Sequence, residues 1–530
     1  MRRALLALLL LWAVLYLPGL GQSDLLSTNE ANRALAAREM LARGDWVVPT
    51  LAGEPYLNKP PLYYWQAMLC YMLFGDHEVS ARLPAALAAL ATILTAFFFL
   101  ECGSLLPRER DAARGSKLPQ STWPGVLVAA TPLLIMQGTE AELDMGLVLW
   151  VFLTELFMLQ ALCARPLRNT LLAYAFLALA ILTKGPVALA FFAPMLIVQV
   201  WVGRASRPDA ARTPSGTPHL AGLLVCLALV LPWCIAVVDR LGWDYAWTIL
   251  KRESLERTMT ASRINAEPFW FYLPRLLVGC LPWTPLLWLL RVHPPRNAGE
   301  RLTRRYLGWC SAAQFVLFSL FAGKETQYLF PILPPLAVVV ALALCAEMDD
   351  PRSRVPAWIG RACLAVVVVA AIGSVFASFL PRPEAQYSWR LALVAVPLAG
   401  FCLSEWRRRG ASRWWAPALA LVFLLTIANS FVRTPVRNAR SSVKADMAAV
   451  LARLPNEAPV LVYRHGESQA YYYLHGRARA VHQPSQLAPG DCVLYELSAE
   501  PDLAGLPMQP LLEIPRPKKP LRLARVLGDS

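Results

Sequence analysis

Residues 219–238 read HLAGLLVCLALVLPWCIAVV and contain no Asp, Glu, Lys or Arg. A helix of about 20 mostly apolar residues spans the hydrocarbon core of a bilayer, so this stretch predicts a transmembrane helix. Similar blocks recur along the 530-residue chain, which is 56% apolar and 16% charged and has a mean hydropathy of +0.42. Soluble domains are about 25% charged. The composition therefore excludes a cytosolic enzyme, a secreted disulfide scaffold and a disordered chain, and it predicts a polytopic membrane protein.

Working outward from this block, the apolar pattern predicts an all-α membrane protein with about thirteen transmembrane helices. The predicted spans are 4–20, 82–101, 121–137, 145–163, 169–183, 186–202, 219–238, 273–290, 306–322, 328–346, 358–380, 391–404 and 414–432. The first follows Arg2 and Arg3 and has no A-x-A-like cleavage site, which predicts an uncleaved signal-anchor.

The aromatic stretch from Pro61 to Gly75 (PLYYWQAMLCYMLFG) decides the orientation of everything that follows it. If this stretch lies at the membrane interface, every loop on the inner face carries Arg or Lys, as the positive-inside rule requires. If it crosses, the basic loops face outward. We therefore expect it not to cross, which puts the N-terminus inside the cell and three longer segments outside. These segments are 21–81, 239–272 and 433–530.

The last of these segments has a lower apolar density and predicts a small extracytoplasmic α/β domain. Residues 441–454 have the pattern of an amphipathic helix, and 459–463 and 492–496 have that of short strands. The predicted organisation is thus a transmembrane domain over 1–432 and an α/β domain over 433–530.

The net charge of +15 does not indicate nucleic-acid binding, because arginine is concentrated in short loops between apolar blocks. The six histidines have no metal-ligand spacing and no CxxC occurs, which argues against a zinc site. The polar C-terminal region has a single cysteine, Cys492, and so no internal disulfide is expected there.

The predicted topology collects ionisable side chains on the outer membrane surface, where they indicate a functional site. Cations there suit a phosphate-bearing substrate, and carboxylates suit a hard metal or a nucleophile. Simpler roles stay open: Arg38 and Glu39 as a surface ion pair, Asp144 as a helix N-cap and Glu253 with Arg257 as an i,i+4 pair. Glu140 and Glu142 can also be solvated loop residues, and Lys59 and Lys184 can be anchors at the lipid headgroups. The residues are Glu30, Arg38, Glu39, Lys59, Glu140, Glu142, Asp144, Lys184, Glu253, Arg257, Lys324 and Tyr328.

Two motifs in the first outer segment resemble a known family. Residues 29–49 read NEANRALAAREMLARGDWVVP and residues 53–65 read GEPYLNKPPLYYW. Further matches follow in the same order: Leu143-Asp144, Thr183-Lys184-Gly185, PFWFY at 268–272, LPW at 281–283, and Gly323-Lys324 with Tyr328 and Pro331. Together they resemble the lipid A aminoarabinose transferase branch of the protein-mannosyltransferase superfamily.

The resemblance implies a membrane glycosyltransferase of the C-type fold with an extracytoplasmic active site and a polyprenyl-phosphate-linked sugar as donor. It implies that Lys59 and Arg257 contact the lipid phosphate, with Lys324 and Tyr328 as further contacts. Asp144 is then an active-site carboxylate. Lys184 and Glu253 remain additional candidates.

The chain departs from the family at two positions, with Asn29-Glu30 for the usual Asp-Glu and Asn58-Lys59-Pro60 for Glu-Lys-Pro. Asn29 cannot act as a base, and Asn58 offers a metal only a neutral oxygen. Whether the site uses a divalent metal as a cofactor therefore stays open. Glu30 and Asp144 are the two candidate catalytic carboxylates. An already ionised acceptor, such as a lipid A phosphate, needs no base.

These observations predict a bacterial inner-membrane glycosyltransferase that moves a sugar from polyprenyl phosphate to an envelope acceptor, first of all lipid A. Its expected partners are the lipid-linked sugar, the acceptor and membrane lipids. Transfer to another glycan or to protein stays open within the class. The rivals outside it are a lipid-linked-sugar transporter, which would hold its ionisable groups near the midplane, and a catalytically silent homologue.

Overall fold

The structure is a computed structural model. It describes residues 1–21, 23–25, 27–102, 121–206, 217–251, 267–321, 323–349, 355–379, 385–407, 412–430, 434, 442–454, 458–464, 468–516 and 519–528.

Most of the described chain is helical. The α-helices are α1 (Arg2–Tyr16), α2 (Thr28–Arg43), α3 (Leu62–Phe74), α4 (Glu78–Cys102), α5 (Thr122–Ala129), α6 (Pro132–Gly138), α7 (Asp144–Cys163), α8 (Pro166–Lys184), α9 (Val187–Ser206), α10 (Thr217–Leu241), α11 (Trp243–Lys251), α12 (Tyr272–Gly279), α13 (Leu289–Val292), α14 (Ala298–Leu320), α15 (Leu333–Asp349), α16 (Val355–Ala377), α17 (Ala385–Arg407), α18 (Ser412–Ala428), α19 (Val443–Ala452) and α20 (Ser468–Tyr473). Short 3₁₀ helices lie at Phe269–Phe271, Thr284–Trp288, Thr326–Ile332, Pro484–Gln486 and Leu497–Leu503.

The chain forms two compact units. The first comprises residues 1–20, 58–63 and 82–432, and the second comprises 21–57, 64–81 and 433–530. The expected division at residue 433 therefore differs from the observed one, since most of the first outer segment belongs to the same unit as the C-terminal region.

The first unit is a helical bundle whose long helices are apolar on nearly all sides. Helix α7 packs against α8, and α8 against α10. A Cβ on Gly222 of α10 would lie 2.4 Å from the Tyr174 ring of α8, so the absence of a side chain lets these helices approach. The rings of Phe191 and Phe318, with centroids 4.5 Å apart, bring α9 onto α14 in the same core.

Eight described helices are long and apolar enough to cross a membrane. The bent pair Phe269–Gly279 and Thr284–Val292 makes a ninth if it is one span. Helix α3 has only 13 residues, fewer than a span needs.

The other four predicted spans coincide with helices that are too short, too charged or interrupted, and so do not meet these criteria of length and apolarity. Helix α1 has 15 residues and α18 has 17. Helix α14 has 23 residues, but charged side chains occupy its first turns. The block at 121–137 breaks between α5 and α6, where Thr131 precedes Pro132, because a residue before proline disfavours helical backbone.

The second unit contains two sheets. Strands β1 (Thr50–Leu51) and β2 (Glu54–Pro55) form an antiparallel hairpin. The other sheet has the order β4-β3-β5-β7-β6. Its strands are β3 (Val460–Tyr463), β4 (Ala478–Val481), β5 (Cys492–Glu496), β6 (Met508–Ile514) and β7 (Leu521–Val526). Strand β3 runs parallel to β4 and β5, whereas β7 is antiparallel to β5 and β6. The strands predicted at 459–463 and 492–496 and the helix predicted at 441–454 are confirmed as β3, β5 and α19.

One charged network explains why the first outer segment belongs to the second unit. Arg38 of α2 is ion-paired with Asp76 and lies 3.6 Å above the ring of Tyr472 of α20. The Tyr472 hydroxyl donates to Asp76 over 3.1 Å. Burial raises the pKa of Tyr472, opposed by Arg38 and assisted by Asp76, which keeps this hydroxyl protonated as a donor.

The surface ion pair expected between Arg38 and Glu39 is wrong. Neighbouring residues of a helix point about 100° apart, so Arg38 contacts α20 while Glu39 faces the hairpin. The Glu39 carboxylate accepts hydrogen bonds from the Thr50 hydroxyl at 2.5 Å and the backbone N–H groups of Ala52 and Gly53 at 2.8 and 3.1 Å.

Candidate active site

Asp144 is the first residue of α7 in the first unit and is only 2% exposed. The N-cap position belongs to Leu143, so the N-cap alternative for Asp144 is wrong. Its Oδ1 instead forms an ion pair with Nζ of Lys184, whose side chain is 7% exposed. A carboxylate in the first turn also interacts favourably with the helix dipole. The structure thus brings together two residues that the sequence proposed separately.

Helices α7 and α8, which carry the two residues of the ion pair, form an antiparallel hairpin, and this arrangement explains the contact. Helix α7 runs from Asp144 to Cys163, and after a two-residue connection α8 runs from Pro166 to Lys184. Their lengths are 20 and 19 residues, so the start of one and the end of the other lie at the same level. Gly185 ends α8 with a φ of +77°, a conformation that favours glycine.

The Lys59-Pro60 segment lies beside this turn. A Cβ on Gly185 would be 3.8 Å from Cγ of Pro60. Lys59 therefore precedes a residue that packs against the end of α8, within the same unit as Asp144 and Lys184. Lys59 and Asn58 are both half-buried.

Tyr328 approaches the same ion pair from a different element. It belongs to the 3₁₀ helix Thr326–Ile332, which packs against α7. Its ring centroid is 5.4 Å from Nζ of Lys184, and the ring also stacks on that of Phe318 at 5.0 Å. This distance allows a cation–π interaction between Lys184 and Tyr328.

Lys324 is close to Tyr328 in the sequence and is buried, but its contacts are with other residues. Its Nζ donates to the backbone carbonyls of Glu267 at 2.9 Å and Phe321 at 2.6 Å. These bonds hold the segment after α14 against the start of the broken helix pair. These contacts tie two backbone segments together, and the donor-phosphate role that the resemblance implies for Lys324 stays a prediction.

Tyr272 is a residue of this region that the sequence argument did not single out as a candidate. Its hydroxyl accepts a hydrogen bond from the backbone N–H of Glu325 over 3.2 Å, and its side chain is fully buried. The sequence did contain a signal for this residue, because Tyr272 is the last residue of the PFWFY motif at 268–272.

Glu155 was also overlooked, although a lone carboxylate within an apolar span is visible in the sequence. It is fully buried in α7 and faces Cys310 of α14.

Glu30 belongs to the second unit, at the start of α2. Ser27 caps this helix by accepting a hydrogen bond from the Glu30 backbone N–H over 3.0 Å. The Glu30 residue is 3% exposed, whereas Asn29 is exposed to solvent. Of the two residues in the Asn29-Glu30 motif, it is therefore Glu30 that is buried.

Two further pairs of candidates remain from the sequence. Arg257 and Glu253 lie outside the described residues. Glu140 is exposed, while Glu142 is buried and so is not the solvated residue that its loop position suggested.

The residues do not fit a metal ion. Within the described ranges, no group of three or more His, Cys, Asp and Glu is arranged to hold one. Asp144 is ion-paired with Lys184, and Asn58 brings only a neutral oxygen. The mechanism below therefore contains no step through a metal.

The site can hold an anion beside a fixed carboxylate. Since Asp144 and Lys184 neutralise each other, Lys59 is a candidate cation for a phosphate among the described residues beside this turn. A buried ion pair of this kind fixes the orientation of both side chains. Charged groups that are already oriented before the reaction contribute most to catalysis where water is excluded.

Known proteins resemble this chain in sequence and in fold. Residues 58–235 match the family model described as dolichyl-phosphate-mannose-protein mannosyltransferase. The chain is 30% identical over 402 residues to the undecaprenyl phosphate-alpha-4-amino-4-deoxy-L-arabinose arabinosyl transferase of Shewanella sediminis, covering 73% of this chain and 68% of the relative. It is 30% identical over 444 residues to the Aeromonas salmonicida protein of the same name, covering 79% and 75%.

The fold is also similar to a solved structure. ArnT from Cupriavidus metallidurans bound to undecaprenyl phosphate matches with a TM-score of 0.73 and 21% identity, covering 100% of this chain and 99% of that one.

The helical bundle, the family match and these relatives define a multi-pass membrane glycosyltransferase. The chain belongs to the undecaprenyl phosphate-aminoarabinose arabinosyl transferase family, within the protein-mannosyltransferase superfamily.

Proposed function

We propose that this protein transfers a sugar from a polyprenyl phosphate donor, of the undecaprenyl class, to lipid A. The relatives named above are arabinosyl transferases of undecaprenyl phosphate-aminoarabinose, which supports a pentosyl donor. The observation that carries the proposal is the meeting of Asp144, Lys184 and the Lys59-Pro60 segment at one turn of the first unit. This arrangement provides a fixed carboxylate next to a cation in reach of an anionic lipid.

The reaction we propose is a direct displacement with inversion at the anomeric carbon. A lipid A phosphate oxygen forms the new bond to that carbon, and the bond from the carbon to the polyprenyl phosphate oxygen breaks. The electron pair leaves with the polyprenyl phosphate, whose added negative charge Lys59 and Arg257 neutralise. The acceptor phosphate is already ionised, so no proton has to be removed from it.

Asp144 is proposed to act on the sugar. A carboxylate held by Lys184 stabilises the positive charge that develops at the anomeric carbon as the leaving group departs. Glu30 is the second proposed carboxylate, with Tyr328 and Lys324 as further donor contacts.

The proposed setting is the bacterial inner membrane, with thirteen crossings and the N-terminus in the cytoplasm. The active site and the C-terminal region then face the periplasm, where the acceptor is accessible. The basic inner loops and the family relationship support this orientation. Transfer to another glycan or to a protein is the alternative within the class, and the ionised acceptor argument favours lipid A.

The test is transfer in vitro from a purified polyprenyl-phosphate sugar to lipid A, followed by mass spectrometry of the product. Lys59→Ala is expected to lower kcat/KM strongly, because its partner is negative in the ground state and in the transition state. Lys519→Ala, which removes a half-exposed lysine of the second unit, is the matched control and should keep the wild-type rate.

Three outcomes contradict the proposal. No transfer by the folded wild type would leave a silent homologue, and movement of the intact lipid-linked sugar would indicate a transporter. Transfer by Lys59→Ala at the wild-type rate would remove the proposed donor site. Lipid A mass spectra from cells with and without the protein test the acceptor independently.

A further inference from the structure

A groove on the bundle surface lies between α16 and α17, away from the site described above. Its volume is about 430 Å³, within the range of sites for small molecules. Its lining consists of Arg361, Leu364, Ala365, Val368, Val369 and Trp406.

The lining follows one face of α16. Positions 361, 364, 365 and 368 recur at the three- and four-residue spacing that puts side chains on one side of a helix. The buried residues Cys363, Val367 and Ala371 belong to the other side, where Val367 and Ala371 pack with α17 and α18. The groove face is therefore a lipid-facing surface whose apolar floor, from Leu364 to Val369, is about 8 Å long at 1.5 Å for each residue.

A cation and an aromatic ring close one end of this floor. The guanidinium carbon of Arg361 lies 5.7 Å from the ring centroid of Trp406, on the neighbouring helix. Trp406 precedes the last residue of α17, and Arg361 lies two turns into α16. Tryptophan and arginine at helix ends are typical of the depth of lipid headgroups.

The groove therefore presents an apolar channel that ends in a positive charge at headgroup level. We propose that it binds one anionic glycerophospholipid, with an acyl chain along Leu364, Ala365 and Val368 and the headgroup phosphate on Arg361. Trp406 flanks the headgroup and holds the guanidinium by a cation–π contact. In the topology expected from the basic loops, this end faces the cytoplasm, so the lipid belongs to the inner leaflet.

Charge complementarity decides between lipids. An arginine and a phosphate form charge-assisted hydrogen bonds, and guanidinium geometry suits two phosphate oxygens at once. A headgroup with net negative charge is preferred to a zwitterionic one, in which a choline cation offsets the phosphate.

The experiment measures lipid binding to the full-length, delipidated protein by native mass spectrometry. Phosphatidylglycerol is titrated against phosphatidylcholine with the same acyl chains. The wild type should bind phosphatidylglycerol about tenfold more tightly, the scale of one hydrogen bond to a charged group. Added salt should reduce this preference.

Two variants and one control locate the site. Arg361→Gln should remove the preference for phosphatidylglycerol. Ala365→Phe keeps the charged end but fills the floor, so it should weaken the binding of both lipids. Arg390→Gln is the matched control and should behave as the wild type, because Arg390 lies the same 5.7 Å from the Trp389 ring but does not line the groove. Circular dichroism checks that each variant is folded.

Equal affinity of the wild type for the two lipids would overturn the proposal, as would an unchanged preference in Arg361→Gln. Displacement of phosphatidylglycerol by undecaprenyl phosphate, or by soluble glycerol phosphate at similar concentration, would also overturn it by showing a different occupant. These results do not depend on transfer activity.

Discussion

Asp144 and Lys184 form a buried ion pair although 40 positions separate them in the chain. The pair joins the first residue of one apolar helix to the last residue of the next, so the α7–α8 hairpin is closed at its open end by two opposite charges. Either residue alone would leave an unpaired buried charge, which is costly. The pair connects the stability of the bundle to the geometry of the candidate site.

Removing either partner should therefore damage stability and activity together. We expect Asp144→Asn and Lys184→Met each to destabilise the fold by about 3–5 kcal/mol, because each leaves the other charge uncompensated. Transfer should fall about 100-fold or more, since misplaced groups at a reacting centre have effects of this size. Thermal unfolding in detergent and single-turnover transfer measure the two effects.

The double variant is the control for this pair. Asp144→Asn combined with Lys184→Met removes both charges and should be less destabilised than the sum of the single variants. Purely additive losses in stability would show that the two charges do not interact.

Glu30 and Asn29 differ in burial, and this difference predicts different effects of substitution. No proton has to be removed from lipid A in the proposed reaction, so Glu30→Gln is expected to keep substantial transfer to it, whereas transfer to an acceptor that must lose a proton should fall by about 10²–10⁴-fold. Asn29→Ala should have a smaller effect, because the side chain is exposed. The rate is measured with both lipid A and a dephosphorylated acceptor. Near-wild-type transfer to lipid A by Glu30→Gln would show that the ionised acceptor needs no base.

Glu39 should hold the β1–β2 hairpin. Ala52 and Gly53 both have positive φ, and their N–H groups donate to its carboxylate together with the Thr50 hydroxyl. We expect Glu39→Ala to destabilise the hairpin by about 1.5–3 kcal/mol, the range for hydrogen bonds to a charged group. Hydrogen exchange at residues 50–55 should become faster. Glu54→Ala, on the exposed side of the same hairpin, should leave exchange unchanged, and protection equal to wild type in Glu39→Ala would contradict the role.

The proposed orientation can be tested by cysteine labelling from outside the cell. Cysteines introduced at the exposed positions Glu54, Glu140 and Glu500 should react with an impermeant reagent, whereas those at Arg114 and Arg168 should react only after permeabilisation. Exposure matters to the choice of sites, because Asp24 is buried and hydrogen-bonded to Ser442. Labelling of Arg114→Cys in intact cells would reject the thirteen-span topology.

The sequence alone determined the class of protein and the position of most helices. Membrane spanning depends on the hydropathy of about 20 consecutive residues, which is a local property. The strands at 460–463 and 492–496 were visible for the same reason, since apolar runs of this length between turn residues indicate strands. Asp144 stood out because it directly precedes an apolar run.

Only the tertiary structure decided which of these residues meet. The contact of Asp144 with Lys184, the approach of Tyr328 and the position of Pro60 against Gly185 depend on how separate helices pack. Arg38 and Glu39 are adjacent in the chain, yet one contacts α20 and the other holds a hairpin. A pattern along the sequence indicates whether a helix lies in an apolar or a polar environment. The partner of each polar side chain depends on the three-dimensional packing of segments that are far apart in the chain.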